Sequence, residues 1–373
     1  MSEEKPLGRI LAAAAISLIA VLMLSYIFLS DFKEYNMPYS IVYRFYLYTA
    51  ILLISSTLLV FILRLNDRRH PSVESNLWNY IRIVLGSLWL FDGILQIQPE
   101  MSFGFAPFIL IPALNALPAP FQLFAHPIIV LWTINAGLVD ALSAVLQIFL
   151  GMAFLLLKSR RYVRPIAAIS FVWSIAIWIF GESLGSPGLG MSILTGFPGA
   201  ALLYAISSLV LFANLSKVRE LNIIRFTFAA LFIISSFLQT LPANGYWEPG
   251  SLAAVTGPYS FIYQPNLLSY LIFNAAEILS HYNFAWNLLL TLALLLLGAA
   301  WIIKPRIASF ASIFLAAIIW FMGQDFGIFG GYGTDPNTGL VLLLMSASVY
   351  LTLRSWKERN IKGLAAPVKV PGQ

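Results

Sequence analysis

The chain reads as an all-α, polytopic membrane protein with about ten transmembrane helices, built from two parallel four-helix repeats and an N-terminal helical hairpin. Three observations predict this: an apolar composition, a one-sided placement of basic residues, and self-similarity at a nearly fixed offset. Of 373 residues, 60% are hydrophobic and only 10% charged, against about 25% charged in soluble domains. So much apolar surface requires lipid as its solvent. There is no cysteine, which excludes disulfides, iron–sulfur clusters and thiol chemistry.

The first apolar run, residues 10–29, follows Lys5 and Arg9. It is long enough to span a bilayer, exceeds the roughly 7–15 residues of a secretion-signal core, and precedes no small-residue cleavage site, so a retained helix is expected. Further spans are predicted at 41–63, 82–98, 128–157, 165–182, 198–214, 225–241, 284–303, 307–326 and 339–354. Linkers rich in Lys and Arg alternate with linkers nearly free of them. Of the 22 basic residues, all but Lys33 and Arg44 fall on one side. Basic residues resist translocation, so both termini are expected in the cytoplasm of a plasma-membrane protein. The net charge of +6 is then a topology device beside anionic headgroups. The bilayer is the expected partner, and nucleic acid is not.

Residues 82–99 resemble residues 225–242: Arg82/Arg225, Leu95/Leu238, Gln96/Gln239 and Pro99/Pro242 coincide. Residues 164–185 likewise resemble 306–327, matching Arg164/Arg306, Ser170/Ser312, Trp178/Trp320, Gly181/Gly323 and Gly185/Gly327. Four spans per unit return the chain to its starting side, so the units are expected to be parallel, with a site at their interface. The predicted organisation is a two-helix hairpin (1–80), two four-helix units (81–217 and 218–356) and a basic cytoplasmic tail (357–373). Within each unit a long Pro-, Gly- and aromatic-rich linker, 101–127 or 243–283, is too broken to span. Helices or re-entrant turns in the outer interface, roofing a cavity, are expected there.

Ionisable groups inside a span cost at least about 2.5–3.5 kcal/mol at its centre and so face a bundle interior. Asp92, Glu182 and Asp325 are the candidate proton-handling carboxylates. Gln96, Gln239, Gln324, Asp140 and Glu277 are the candidate substrate-binding groups. Asp92 and Gln96 share a helix face. The polar residues concentrate toward the outer half of the spans, predicting a chamber open to the extracytoplasmic side. Amides also serve as interhelical glue, at roughly 0.6 kcal/mol each. Trp178 and Trp320 read as interface anchors. Three histidines, His70, His126 and His281, do not make a metal or haem site, and no metal is expected. No Walker loop, dinucleotide fingerprint or zincin motif is present.

The unit that begins "RIVLGSLWLFDGILQIQPEM" and ends in a Gly-rich "GESLG…GFPG" segment resembles the DoxX/DoxD-like membrane proteins. In the second unit Gly323, Asp325, Gly327, Asp335, Pro336 and Gly339 carry the likeness. The resemblance covers residues 82–355 as two copies. It implies a quinone-linked electron-transfer subunit of the thiosulfate:quinone oxidoreductase type, with quinone as cofactor and a second oxidoreductase subunit as partner. Two alternatives stay open: a transporter or lipid-handling protein, and a structural subunit of a larger complex.

Overall fold

The computed structural model describes residues 39–67, 75–213, 215–329 and 333–364, with side chains of the last helix described to Trp356. The expected span at 10–29 lies outside them, as does His70. The described residues are helical, with no strand among them. The principal helices are α1 (Tyr39–Asp67), α2 (Asn76–Gln96), α3 (Met101–Asn115), α4 (Ala125–Ile134), α5 (Ala136–Leu156), α6 (Arg160–Gly181) and α7 (Ala200–Phe212). The chain continues through α8 (Lys217–Thr240), α9 (Ser251–Thr256), α10 (Asn266–His281), α11 (Asn283–Ile303), α12 (Pro305–Gly323) and α13 (Asn337–Leu364).

Seven of these helices are long and apolar enough to cross a membrane: α1, α5, α6, α8, α11, α12 and α13. An eighth follows if α2 and α3, which meet at 86°, count as one broken span. The molecule is a multi-pass membrane protein. The expected span at 128–157 is instead two helices broken at Asn135, whose non-helical backbone (φ −154°, ψ 74°) stops α4 and whose side chain accepts the Leu138 N–H to start α5. The span expected at 198–214 is the 13-residue α7. The last helix runs eight residues past the boundary expected for the tail.

Hydrogen bonds sort the linkers into two groups, as the charge pattern predicts. At the basic end, Asp67 accepts the Lys158 and Ser159 N–H groups, and Asn76 reaches Ser355. There the fully buried Glu220 accepts from Ser75 (2.5 Å) and pairs with Arg160 (2.9 Å). At the opposite end Gln98 donates to Gly333, Tyr246 to Gly190, Gln324 to Ile193 and Thr338 to Gly196.

Helices pair as α2 with α5, α6 with α7, α8 with α11, and α12 with α13, while α13 also packs on α2 and α7. Small residues allow the closest approaches, as in membrane bundles generally. A Cβ on Gly151 of α5 would lie 2.5 Å from the Leu90 backbone nitrogen of α2, and one on Gly298 of α11 would meet Ile233 of α8 at 2.6 Å. Helix α1 rests on α5 and turns Leu47, Ile51, Ile54, Leu58 and Phe61 outward, a surface suited to lipid.

Several local features occur twice. Arg82 donates to the carbonyls of Phe154 and Leu157, closing the end of α5; Arg225 donates to Trp301 and Ile302, closing α11. The last turns of α6 and α12 both widen into π-helical turns, Ile177–Gly181 and Ile319–Gly323. The Trp178 indole then donates to the Pro198 carbonyl (2.8 Å), and Trp320 to that of Pro336 (2.7 Å). These two tryptophans are therefore loop clamps. Gly185 (φ 80°) and Gly327 (φ 69°) take left-handed backbone where a side chain would strike the backbone of Pro198 and Pro336 respectively, a position only glycine fills without strain.

Candidate functional site

The site grows from the C-terminal end of α2. Ser75 caps that helix by accepting the Trp78 N–H, and the helical repeat then carries Trp89, Asp92 and Gln96 to its buried face. Trp89 is locked on both sides. Its indole donates to Ser170 of α6 (2.8 Å), which itself bonds Ser208 of α7 (2.8 Å). Its ring meets the edge of Tyr204 of α7, centroids 4.9 Å apart. The Tyr204 phenol lies against the Asp92 carboxyl, although no hydrogen bond of ordinary geometry closes between them and Asp92 Oδ1 has no partner among the described residues.

These side chains border a cavity of about 260 Å³. Trp132, Trp173, Phe105 and Phe180 supply further aromatic wall; Asp92, Gln96, Gln147, Glu182 and Asp335 supply the polar groups. Helix α3, from the expected roof segment 101–127, and α4, most of which falls in the expected span 128–157, close one flank through Phe105, Ile109, Ile128 and Trp132. Gln147, whose Oε1 has no partner among the described residues, faces the cavity from α5. Among the described residues no Lys, Arg or His lines it.

Glu182 follows the last residue of α6, and its carboxylate accepts the Ala201 N–H (3.0 and 3.2 Å) at the start of α7. An anion at a helix N-terminus is favoured by the unpaired N–H groups and the helix dipole. Asp335 arrives from the loop before α13. It accepts from the Asn337 N–H (2.6 Å) and the Thr334 hydroxyl (3.3 Å). Burial pushes its carboxyl above the ordinary range, and those two hydrogen bonds pull the other way. A second cavity of about 150 Å³, walled by Gly185, Ser186, Thr195, Gly196, Gly199 and Asn337, adjoins the first; Glu182 and Asp335 line both.

The structure thus brings Asp92, Gln96 and Glu182 together and places the other expected residues elsewhere. Asp140 is buried behind the wall, accepting the Trp132 indole (2.7 Å) and so fixing that ring. Gln239 is held by Ser192 and Asn287 (both 2.7 Å), a satisfied interhelical bridge. Gln324 accepts the Gly339 N–H and donates to Ile193. Asp325 is buried outside both cavities with φ 44°, and neither carboxyl oxygen has a partner among the described residues. Glu277 lies on the exposed side of α10. His126 and His281 are exposed, and no group of metal-ligating side chains occurs among the described residues.

Sequence reasoning did not assign Asp335, Tyr204 or Gln147 to the site. Tyr204 sits inside an unbroken apolar run, where a phenol gives no signal of its own. Asp335 belongs to a loop that reaches the cavity only through tertiary packing.

A buried acidic and aromatic cavity inside a multi-pass helical bundle defines the class of this protein. No family model, curated protein or solved structure matches the chain.

Proposed function

We propose that the chain is a plasma-membrane protein that binds a one-ring ligand of the quinone class in the aromatic cavity and exchanges protons with it. The carrying observation is the convergence of Asp92 and Tyr204 beneath a wall of tryptophan and phenylalanine rings. A quinone has a flat apolar ring and two carbonyl oxygens that take up protons on reduction. Stacking walls, the Gln96 and Gln147 amides as donors, and a carboxyl beside a phenol answer each of those needs. The cavity is near the small end of ligand pockets, which start at about 300 Å³, so it suits a headgroup with its tail outside.

This agrees with the resemblance to DoxX/DoxD-like proteins and narrows it. An anionic sulfur donor is disfavoured beside three carboxyls without a cation, so oxidation of such a donor would fall to a partner subunit. A carrier would need polar groups continuing to the basic end. There α2 buries Ile81, Leu85 and Leu88, and Arg82 is tied to backbone carbonyls.

The proposed topology has ten spans with both termini cytoplasmic and the cavity toward the outer face. The proposed ancestry is a tandem duplication, supported by the paired arginine locks, π-helical turns and tryptophan clamps. In the second unit Ser235, Gln324 and Leu342 stand where the first has Asp92, Glu182 and Tyr204. Only the first unit then keeps the acidic site, and it borrows Asp335 from the second.

Quenching of tryptophan fluorescence by a short-chain quinone, with the protein in lipid nanodiscs, tests the reading. Saturable quenching is expected, weakened about tenfold by Asp92→Asn, the scale of one charge-assisted hydrogen bond. Unsaturable quenching that is equal in both proteins would overturn it.

A further inference from the structure

Glu182 and Asp335 are the only two titratable side chains on the wall shared by the two cavities. On one side lies the aromatic cavity. On the other, the second cavity is lined by glycines, Ser186, Thr195 and Asn337, and both Ser186 and Thr195 are exposed at the protein surface. The two side chains are half-buried and touch open space on both sides. The groups facing them are Asp92 and Tyr204 from α2 and α7, the Ala201 and Asn337 N–H groups, and the Thr334 hydroxyl. Among the described residues no cation belongs to either wall.

We propose that Glu182 and Asp335 form a proton-sharing carboxyl pair, and that the polar cavity is the aqueous vestibule through which this pair exchanges protons with the outside. Two like charges held at one buried site without a counter-cation do not both ionise, so one proton remains on the pair. It passes to an ionised Asp92 across the shared wall, with the Tyr204 phenol serving only as a relay that gives up its own proton as it takes one, and the pair is refilled from water in the vestibule. The backbone N–H groups of Ala201 and Asn337 stabilise whichever carboxylate is charged at the time. The pair also joins the loops that follow α6 and precede α13, so it assembles only when the two halves of the chain pack. This assignment does not depend on what occupies the aromatic cavity.

The test uses the full chain in lipid nanodiscs and no quinone. Because the chain lacks cysteine, Ser186→Cys introduces a unique thiol in the vestibule, with Leu189→Cys on the exposed loop as the accessible reference. A water-soluble maleimide is expected to label both. Dicyclohexylcarbodiimide, which attacks protonated carboxyls in apolar surroundings, is expected to modify Glu182 or Asp335 well above the ordinary carboxylate range near about pH 4. Removing one partner relieves the other of a like charge. Modification of Glu182 in Asp335→Asn, and of Asp335 in Glu182→Gln, should therefore fall about tenfold at neutral pH, the effect of one pKa unit. Infrared titration of the wild type, which needs no variant, should show a protonated-carboxyl band surviving to neutral pH. A Ser186→Cys thiol that stays unlabelled in the folded protein would overturn the vestibule. Carbodiimide labelling at one carboxyl indifferent to loss of the other, or absence of the infrared band, would overturn the shared proton.

Discussion

Glu182 and Gln324 perform the same structural task in the two halves of the chain. Glu182 accepts the Ala201 N–H at the start of α7, and Gln324 accepts the Gly339 N–H in the first turn of α13 (2.8 Å). Each side chain folds back from the end of one helix to hold the beginning of the next. The charge is dispensable for that task; the acceptor oxygen is not. At Glu182 the charge therefore has a second purpose, and the cavity beside it supplies one.

The first prediction separates those purposes. Gln324→Leu leaves the Gly339 N–H and the Ile193 carbonyl without their side-chain partner, at about 1–3 kcal/mol for each buried group. Glu182→Gln keeps the acceptor and should melt close to the wild type while losing carboxyl chemistry. Thermal unfolding in nanodiscs followed by intrinsic fluorescence distinguishes them; equal losses in both variants would contradict a shared capping role.

Gly151 is predicted to be intolerant of any side chain. Its absent Cβ would lie 2.5 Å from the Leu90 nitrogen and 2.7 Å from its Cα, and backbone atoms cannot rotate aside. Overpacking costs about 1–3 kcal/mol when side chains can adjust, so Gly151→Val should exceed that range and lower the melting temperature sharply. Gly188→Ala, with nothing near its would-be Cβ, is the control that should leave it unchanged.

Asp140 should act on the cavity through Trp132. Asp140→Leu removes the acceptor for the indole N–H, frees the ring to rotate, and should red-shift and broaden the tryptophan emission. Affinity for the ring ligand should fall by severalfold, while Asp140→Asn, which still offers an oxygen, should recover most of both signals. A Leu variant with unchanged emission would show that Trp132 is held by packing alone.

Stability should fall as pH rises, and Asp335 gives the sign. Its folded-state carboxyl is held above the ordinary range chiefly by burial, so between the unfolded value near about 4 and the raised folded value the native state binds more protons than the unfolded chain. Raising pH through that window favours unfolding, and the penalty is complete above the folded pKa. Asp335→Asn retains an oxygen for the Asn337 N–H and removes the titration. Its melting temperature should depend less on pH than the wild type's, with the gap opening on the alkaline side. A variant whose pH profile parallels the wild type's would remove Asp335 as the source.

Much of the architecture was legible in sequence because a bilayer imposes long-range rules on local composition. Apolar runs must match its thickness and basic linkers must alternate, so α1, α5, α6, α8, α11, α12 and α13 could be anticipated as helices. The break at Asn135 could not, since one non-helical residue interrupts an otherwise continuous apolar run. Within the site, Asp92 and Gln96 were visible as polar residues one turn apart on a buried face. Glu182 stood out as a carboxylate at a span end. Asp325 and Gln239 carried the same local signal yet lie outside the cavity, because polarity in an apolar run does not reveal which neighbour it meets.

The sequence by itself determined that the chain lives in lipid, which of its linkers lie together, and that acids and amides concentrate toward one end of its helices. Hydropathy and charge act residue by residue, so they are written along the chain. Only the tertiary structure decided that Asp335 joins Glu182 and Asp92, that Tyr204 faces a carboxyl, and that Gln324 caps a helix. Those outcomes depend on how two glycine-rich loops pack across the bundle, where contacts under 4 Å between residues more than a hundred apart select among many equally polar candidates.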